Sequence, residues 1–330
     1  MSNYHIETIN CPLCSSSEYK IFIKQAKELY NDMDEYFDVC KCAKCEHIFT
    51  NPRPTQDTIK YFYPDTAGYY KPHTYKRKKG FQYEVYKKIL NIFYGYHLET
   101  KVNKLLAIII FLLKKRQLEV SNIPTFKEDG KLLEIGSSYG YYLKDKELLG
   151  WEVYGIELNT KAVEYAKNEL KIKNIQSNFF EEVKFQSNYF DVVNMNMVLE
   201  HVYNPNFVIN KINNILKHNG ELMISVPDIS GFEANFYRQY AYTLQVPEHL
   251  HHFTPKTITK LLEDNGFIVE KIIHQNFDRD IVTSSGYMPN KKLAKFLHNK
   301  FIRKTFIKFF VSFLALVGKT SRMNIYARKK

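Results

Sequence analysis

The spacing of apolar positions changes along the chain, and each change marks an element. From Phe81 to about Val120 they recur at the helical three-to-four interval with lysines on the other face, until Asn122-Ile-Pro124 ends the pattern, which predicts helices. From residue 131 onward short apolar runs alternate with amphipathic stretches. Lys131–Gly136, Trp151–Glu157, Phe190–Met195 and Glu221–Val226 read as buried strands, with Tyr141–Leu149, Thr160–Leu170 and Pro205–Lys217 as the helices between them. Such alternation predicts an α/β fold, a parallel sheet with helices on both faces, whose ligands bind at the carboxyl ends of the strands. Two further runs, Leu105–Leu113 and Phe309–Gly318, are almost wholly apolar. Both fall short of the roughly 20 residues a spanning helix needs. Each predicts a buried helix face in preference to a helix lying in a membrane interface.

The cysteines define a separate region. All five precede residue 46, and Cys11-Pro-Leu-Cys14 and Cys42-Ala-Lys-Cys45 form two Cys-x-x-Cys knuckles separated by 27 residues. Two such turns can present four thiolates at tetrahedral corners, and in a reducing compartment zinc explains them better than disulfides do. Cys40, at Cys-x-Cys with Cys42, could substitute for it, although the paired spacing favours Cys42; His47 is a bystander imidazole. A segment this short buries little core, so a metal would supply its folding energy, and four thiolates leave no position for substrate. The expectation is a structural Zn2+ held by Cys11, Cys14, Cys42 and Cys45 in a module over residues 1–55. The proline-punctuated Thr50–Thr55, the Tyr-rich Tyr61–Tyr75 and the basic Lys76–Lys79 read as linker and interdomain packing. The division expected is thus 1–55 zinc module, 56–125 linker and helical segment, 126–282 α/β domain, and 283–330 basic and apolar C-terminal helices with a last strand.

Composition narrows the partners. Of 330 residues 45% are apolar and 15% aromatic, and Gly and Pro are scarce (13 and 11), which excludes collagen-like, coiled-coil and disordered chains. A net charge of +12 directs attention to nucleic acid, a phosphorylated small molecule or an acidic membrane surface. The opening MSNYHIETIN lacks the basic and apolar regions of a secretory signal, so a cytoplasmic location is expected, with the tail from Lys291 onward able to touch the inner face of a membrane.

Candidate chemistry begins at Gly136-Ser-Ser-Tyr-Gly140, where two glycines between a strand and a helix let backbone approach a ligand at a helix N-terminus. Glu157 ends the next strand 21 residues after Gly136, where a carboxylate can accept from both hydroxyls of a ribose. Glu134 precedes the turn, and no further glycine follows as a nicotinamide site would require. The acid suits a cationic cofactor instead.

These residues resemble the class I S-adenosylmethionine-dependent methyltransferases. Leu133-Glu-Ile-Gly-Ser-Ser-Tyr-Gly140 is similar to their first motif with Ser138 in place of the middle glycine. Gly155-Ile-Glu157 is similar to the second, and Phe190-Asp-Val-Val with Val198-Leu-Glu-His-Val202 to the fourth-strand motif of a Leu-Glu-His branch. The resemblance implies a Rossmann-like, mostly parallel sheet closed by an antiparallel strand at Met323–Arg328. It also implies S-adenosylmethionine as cofactor, bound by Glu134, Gly136, Ser137, Gly140, Glu157, Leu158, Asn178, Phe179, Asn196 and Glu200. A narrower set of these enzymes, with an N-terminal four-cysteine zinc module, acts on sugars and surface polysaccharides. Phe49-Thr-Asn-Pro-Arg-Pro54 and Pro247-Glu-His-Leu-His-His-Phe-Thr-Pro255 resemble it. Its sugar C-methyltransferases carry Tyr-x-Glu-His at the latter place; here Val246-Pro-Glu248-His249 keeps only Glu-His, so O-methylation stands at least level with C-methylation.

A neutral sugar hydroxyl is a poor nucleophile, and His supplies a base near neutrality unaided. His249 beside Glu248 is the first candidate, in the loop after the fifth strand; His201 is the second, and His252 and His251 follow. Phe232, Phe236, Tyr237, Arg238, Tyr240 and Tyr242 offer aromatic walls and one guanidinium for a sugar phosphate, although the Phe residues read equally well as core. The acceptor implied is a nucleotide- or lipid-linked sugar. Two rivals remain: an RNA-base methyltransferase, disfavoured because the zinc gap is wide and no Asn-Pro-Pro-Tyr-type motif follows the fourth strand, and a non-catalytic scaffold keeping the fold, suggested by Ser138.

Overall fold

A computed structural model describes residues 4–63 and 72–330; positions 64–71 of the Tyr-rich segment lie outside the described residues. The chain opens with β1 (Ile6–Glu7), β2 (Tyr19–Lys27), β3 (Tyr36–Cys42), β4 (Ile48–Thr50) and β5 (Arg53–Pro54), followed by helices α1 (Phe81–Phe93) and α2 (Lys104–Glu119). Strand and helix then alternate through β6 (Lys131–Ile135), α3 (Tyr141–Glu147), β7 (Glu152–Glu157), α4 (Thr160–Asn168), β8 (Asn174–Ser177), β9 (Phe190–Asn196), α5 (Pro205–Ile215) and β10 (Leu216–Pro227). The remainder is α6 (Phe232–Tyr237), β11 (His251–His252), α7 (Pro255–Asp264), β12 (Phe267–His274), α8 (Arg279–Tyr287), α9 (Lys291–His298), α10 (Lys300–Ile302), α11 (Lys308–Leu316) and β13 (Arg322–Lys329).

Seven strands form one sheet in the order β12-β13-β10-β9-β6-β7-β8. The centre is parallel, with Leu132 beside Val153 and Val192. β13 runs the other way. Its entry, Ser321, accepts from the Asp228 amide just past β10, and its exit, Lys329, donates to the Leu216 carbonyl where β10 begins. The expected Rossmann-like order is therefore present, and β10 starts five residues earlier than its apolar run, at Leu216 and not Glu221.

The chain divides into two compact units. The second, Tyr69–Asn196 with Lys211–Ile224 and Tyr326–Lys330, packs Leu132, Leu143, Val153, Val163, Ile175 and Val192 into one core between strands and helices. In α2 only Ala107 and Phe111 are buried, while Leu105, Leu112 and Leu113 are 66%, 66% and 80% exposed. The buried face expected of this run is thus narrow, one stripe of Ala107 and Phe111, and most of its leucines lie on the exposed side.

The first unit combines Met1–Gly68, Met197–Asn210 and Ser225–Ile325. Its small sheet has the order β11-β4-β3-β2, so the two-residue β11 adds to the cysteine-bearing strands, with His251 opposite Phe49 and His252 opposite Ile48. The stretch Thr50–Thr55, which its prolines mark as linker, instead holds β5 paired to β1, with Arg53 bonded to Glu7 at 2.8 Å. Proline is tolerated there because a two-strand ribbon has only edges. α7 starts at a capping box in which Thr254 and Thr257 bond reciprocally, with Pro255 at the first turn. In the tail, Val311, Leu314 and Ala315 of α11 are buried, while Phe309, Phe313 and Leu316 on the other side are 78%, 53% and 73% exposed. Among the described residues no helix is long and apolar enough to cross a membrane.

Candidate functional site

In the second unit, β6 runs into a turn whose backbone passes through positive φ at Gly136 (72°), Ser138 (47°) and Gly140 (76°). The amides of Gly136 and Ser137 both donate to the Ile156 carbonyl, at 2.8 and 3.0 Å, which fastens the turn to the end of β7. A Cβ on Gly155 would stand 2.7 Å from Leu143 and 2.9 Å from the Ser137 hydroxyl, so the close approach of β7 to the turn requires glycine. Ser138 accepts a left-handed backbone at a cost of about 1 kcal/mol. Its amide donates to Glu157 Oε2 at 2.8 Å, and the turn keeps its shape without the middle glycine.

Glu157 is almost fully buried, and its Oε1 accepts from the Asn159 amide at 2.9 Å. Two backbone donors thus aim the carboxylate, and each oxygen retains a lone pair for a ribose hydroxyl. The Asn178 amide bonds the Glu157 carbonyl at 3.2 Å. Beside these polar groups, Leu158 and Phe179 are 57% and 42% exposed, apolar surface available to an adenine ring. Asn196 lies exposed at the end of β9.

Glu134 supplies the clearest sign of a ligand. Its Oε1 accepts from Asn194 Nδ2 at 3.0 Å, and Asn194 Oδ1 accepts in turn from Asn122 at 2.9 Å. Its Oε2 is buried and, like the buried Ser137 hydroxyl, has no hydrogen-bond partner among the described residues. Burial holds the Glu134 carboxyl well above the usual range, against the pull of the Asn194 bond and the Lys146 charge. An unpartnered buried carboxylate oxygen is satisfied by a cation, and the residues of this cradle fit S-adenosylmethionine: an acid for the ammonium, paired lone pairs for ribose, and apolar side chains for adenine.

The tenth residue of that set, Glu200, falls in the first unit, in the short turn Leu199–His201, together with the candidate bases. Here hydrogen bonds fix the tautomers. The Thr50 hydroxyl donates to the His249 carbonyl at 2.7 Å, so it accepts from His252 Nε2 at 3.1 Å. His251 Nε2 donates to the Val202 carbonyl at 2.8 Å, which leaves its Nδ1 to accept from His47 Nε2 at 3.1 Å. His47, His251 and His252 thus tie the small sheet together.

His201 and His249 are arranged differently. His249 Nδ1 donates to the Thr243 carbonyl at 3.0 Å and His201 Nδ1 to the Glu248 carbonyl at 2.8 Å, which leaves both Nε2 lone pairs uncommitted by those bonds. The rings meet edge to face at 4.7 Å, and a Glu200 carboxylate oxygen and one nitrogen of each ring all lie within 4.8 Å of one another. This trio has the donor set of a cation site and also of a proton-sharing group. Burial lowers His249 well below the usual imidazole range, with the neighbouring His201 and His252 adding to it, and lowers His201 to about 4. Both are neutral near pH 7. Burial raises Glu200 to about 8, opposed by its own amide and by Arg322, and neither Glu200 oxygen has a side-chain hydrogen-bond partner among the described residues. Glu248, raised by burial to about 9, receives a bond from Asn31 at 3.2 Å.

The four knuckle sulfurs also lie within 4.8 Å of one another, with Cys11 to Cys45 at 3.4 Å and Cys14 to Cys42 at 3.6 Å. Thiolates about 2.3 Å from one zinc ion sit about 3.7 Å apart, so the group is compatible with a tetrahedral ion. Cys40 points elsewhere, its Sγ 3.5 Å from the Asn51 carbonyl. Burial raises the Cys42 thiol, but the amides of Cys45 and Lys44 and the facing thiols outweigh it and bring it to about 7.

Of the aromatic residues at 232–242, Tyr237 is core, Phe232 stacks on Phe236 at 5.5 Å, and Arg238 is exposed. Sequence reasoning missed Tyr63, whose hydroxyl stands 2.8 Å from His201 Nδ1, as well as Asn31, Thr50 and Thr243. It also missed Asn194, for which a signal existed: an amide within the apolar run of β9.

The profile of a family described as a methyltransferase domain matches residues 104–272 of the chain. No curated protein matches it. Among solved structures, a candidate S-adenosylmethionine-dependent methyltransferase from Listeria monocytogenes is 16% identical, covering 66% of this chain and 99% of its own, with a TM-score of 0.46. A candidate methyltransferase from Bacillus halodurans C-125 is 16% identical over 65% and 97%, TM-score 0.45. One from Thermotoga maritima, described as a possible histamine N-methyltransferase, is 15% identical over 75% and 100%, TM-score 0.45.

Proposed function

Because the chain belongs to the methyltransferase-domain family and is an S-adenosylmethionine-dependent methyltransferase, we propose that its acceptor is a sugar hydroxyl of a nucleotide- or lipid-linked intermediate in surface-glycan assembly. The observation that supports a hydroxyl acceptor is the tautomer of His249, fixed by the Thr243 carbonyl so that Nε2 is the lone pair available for a proton. Bound S-adenosylmethionine offers a methyl group on a sulfonium. His249 Nε2 would take the proton of an acceptor hydroxyl as that oxygen is methylated. His201 and Glu200 stand beside His249 to share the charge so formed, with Glu248 and His252 bracing the loop. Glu134, Gly136, Ser137, Gly140, Glu157, Leu158, Asn178, Phe179 and Asn196 hold the cofactor.

A carbon acceptor is the second reading. It is favoured by Tyr63, which brings to His201 a phenol that Val246 cannot supply. Cys11, Cys14, Cys42 and Cys45 hold a structural Zn2+ in this proposal, and the enzyme works in the cytoplasm. The exposed Phe309, Phe313 and Leu316, with the exposed Lys300, Lys304 and Lys308 of the same stretch, fit an anionic lipid surface. A twofold contact between copies would set those cations against each other.

The experiment is calorimetric titration of zinc-loaded protein with S-adenosylmethionine and S-adenosylhomocysteine, NAD serving as control, followed by mass spectrometry of nucleotide-sugars incubated with the first. Micromolar one-to-one binding and one added methyl on a sugar are expected. Methylation of RNA in place of sugars, or binding without any turnover, overturns the acceptor reading.

A further inference from the structure

A cavity of about 550 Å3 in the second unit lies apart from the cofactor cradle. It is walled by α1, α2, the side of α3 carrying Tyr142 and Lys146, and the stretch leading into α1; neither Glu134, Glu157 nor any residue of the Gly136–Gly140 turn lines it. Five cations line it: Arg77, Lys78, Lys79, Lys114 and Lys146. The one carboxylate in the wall, Asp145, is already taken by Lys78 at 2.5 Å and by the Tyr75 hydroxyl at 2.8 Å.

Lys146 is the informative member. Its side chain is buried, 3% exposed, and its ammonium lies over the Tyr142 ring at 4.6 Å, with no hydrogen bond or ion pair to any described residue. Burial lowers it to about 8, with the Asp145 charge pulling the other way. A lysine side chain this buried, influenced by the Asp145 and Glu134 charges but bonded to no anion among the described residues, costs the fold stability that a well-packed methionine would not. An anionic ligand removes that cost. The rest of the wall describes the remainder of such a ligand: Tyr75, Tyr83, Tyr86 and Tyr142 offer ring faces, and Val85, Ile89 and Leu149 an aliphatic floor. The volume falls in the roughly 300 to 1,000 Å3 range of organic-ligand sites and far exceeds what a bare phosphate fills.

We propose that this cavity binds an organic diphosphate, its phosphates on Lys146 and the neighbouring cations and its apolar or ring portion against the tyrosines and the aliphatic floor. Two sources share that chemistry, a nucleoside diphosphate and a prenyl diphosphate. The inference does not depend on methyl transfer, since no residue assigned to the cofactor or to the acceptor base lines the cavity.

The test is calorimetry on the full-length, zinc-loaded protein with inorganic pyrophosphate, uridine diphosphate and farnesyl diphosphate, the last kept below its micellar concentration. One of the two organic ligands is expected to bind one-to-one, about tenfold or more tighter than pyrophosphate, and to weaken as salt is added. Tighter binding of uridine diphosphate identifies the nucleotide source, tighter binding of farnesyl diphosphate the lipid source. Lys146→Met should lower that affinity about tenfold or more and raise the melting temperature. The exposed pair Arg77→Gln with Lys114→Gln serves as a second variant that leaves the interior untouched, and should also weaken binding. Absence of binding by both organic ligands, affinity equal to pyrophosphate, or affinity indifferent to both variants overturns the proposal.

Discussion

The cofactor cradle and the histidine cluster solve opposite problems with the same kinds of atom. In the cradle, backbone amides aim Glu157 while Glu134 Oε2 and the Ser137 hydroxyl are left buried without partners. Those two orphaned atoms are what the proposed cofactor would satisfy. In the cluster, backbone carbonyls hold three of the imidazoles, through Thr243 for His249, Glu248 for His201 and Val202 for His251. The cluster keeps buried orphans too, both Glu200 oxygens and Glu248 Oε2 among the described residues, but its imidazole tautomers are set by bonds within the chain. Ligand identity is therefore easier to infer for the first, and chemistry for the second.

Metal removal offers the largest break between them. A structural zinc contributes on the order of 10 kcal/mol to a small module. A strong chelator, or Cys42→Ser, should dissolve the pairing of β4 with β11, abolish turnover, and leave S-adenosylmethionine affinity within a few-fold of the untreated protein by calorimetry. Loss of both together would show that the two regions are not separable. Next in size, His249→Ala should lower turnover by about 10² to 10⁴ while cofactor affinity stays constant; full activity moves the base to His201. On the other side of the comparison, Glu157→Ala should weaken S-adenosylmethionine binding by about 2 kcal/mol, and unchanged affinity would defeat the ribose assignment.

Titration gives the smallest and most specific contrast. His201, His251 and His252 hold folded values of about 4, 3 and 3 beneath an ordinary 6.5, so below that pH the unfolded chain binds more protons than the native one. Their stabilisation is complete above about pH 6.5 and is lost as pH falls. Glu200 and Glu248 are raised to about 8 and 9 from 4.5, so their contribution is present at low pH and is lost as pH rises through those values. Between about pH 4.5 and 6.5 the three imidazoles and the two acids oppose each other, and above 6.5 the acids act alone, so the melting temperature should decline on both sides of about pH 6.5, gently toward pH 4.5 and more steeply toward pH 8. A profile that falls steadily from about pH 4.5 upward, with no maximum near 6.5, would mean that the imidazoles are solvated.

The cradle was legible because its parts are local. Glu134 to Gly140 is one strand and one turn, and Glu157 is the end of the next strand, so spacing alone brings them together. The cysteine knuckles were legible for the same reason. The cluster was only half legible: Glu248 and His249 stood out, but Tyr63 reaches His201 across 138 positions and Asn31 reaches Glu248 across 217. No periodicity announces such contacts. Thr50–Thr55 was misread because proline signals a turn more strongly than a two-residue strand signals pairing, and β5 exists only because β1 lies against it.

The bond from Thr50 to His252 joins residues 202 positions apart. On a ribosome adding about 5 to 20 residues per second, the edge of β4 therefore waits about 10 to 40 s for its partner strand to be made. During that time β2, β3 and β4 form a sheet with an open flank, able to capture a strand from another nascent chain. Early loading of the cysteines would shorten the list of wrong pairings, and expression of this protein should respond to zinc supply before the first methyl group is ever transferred.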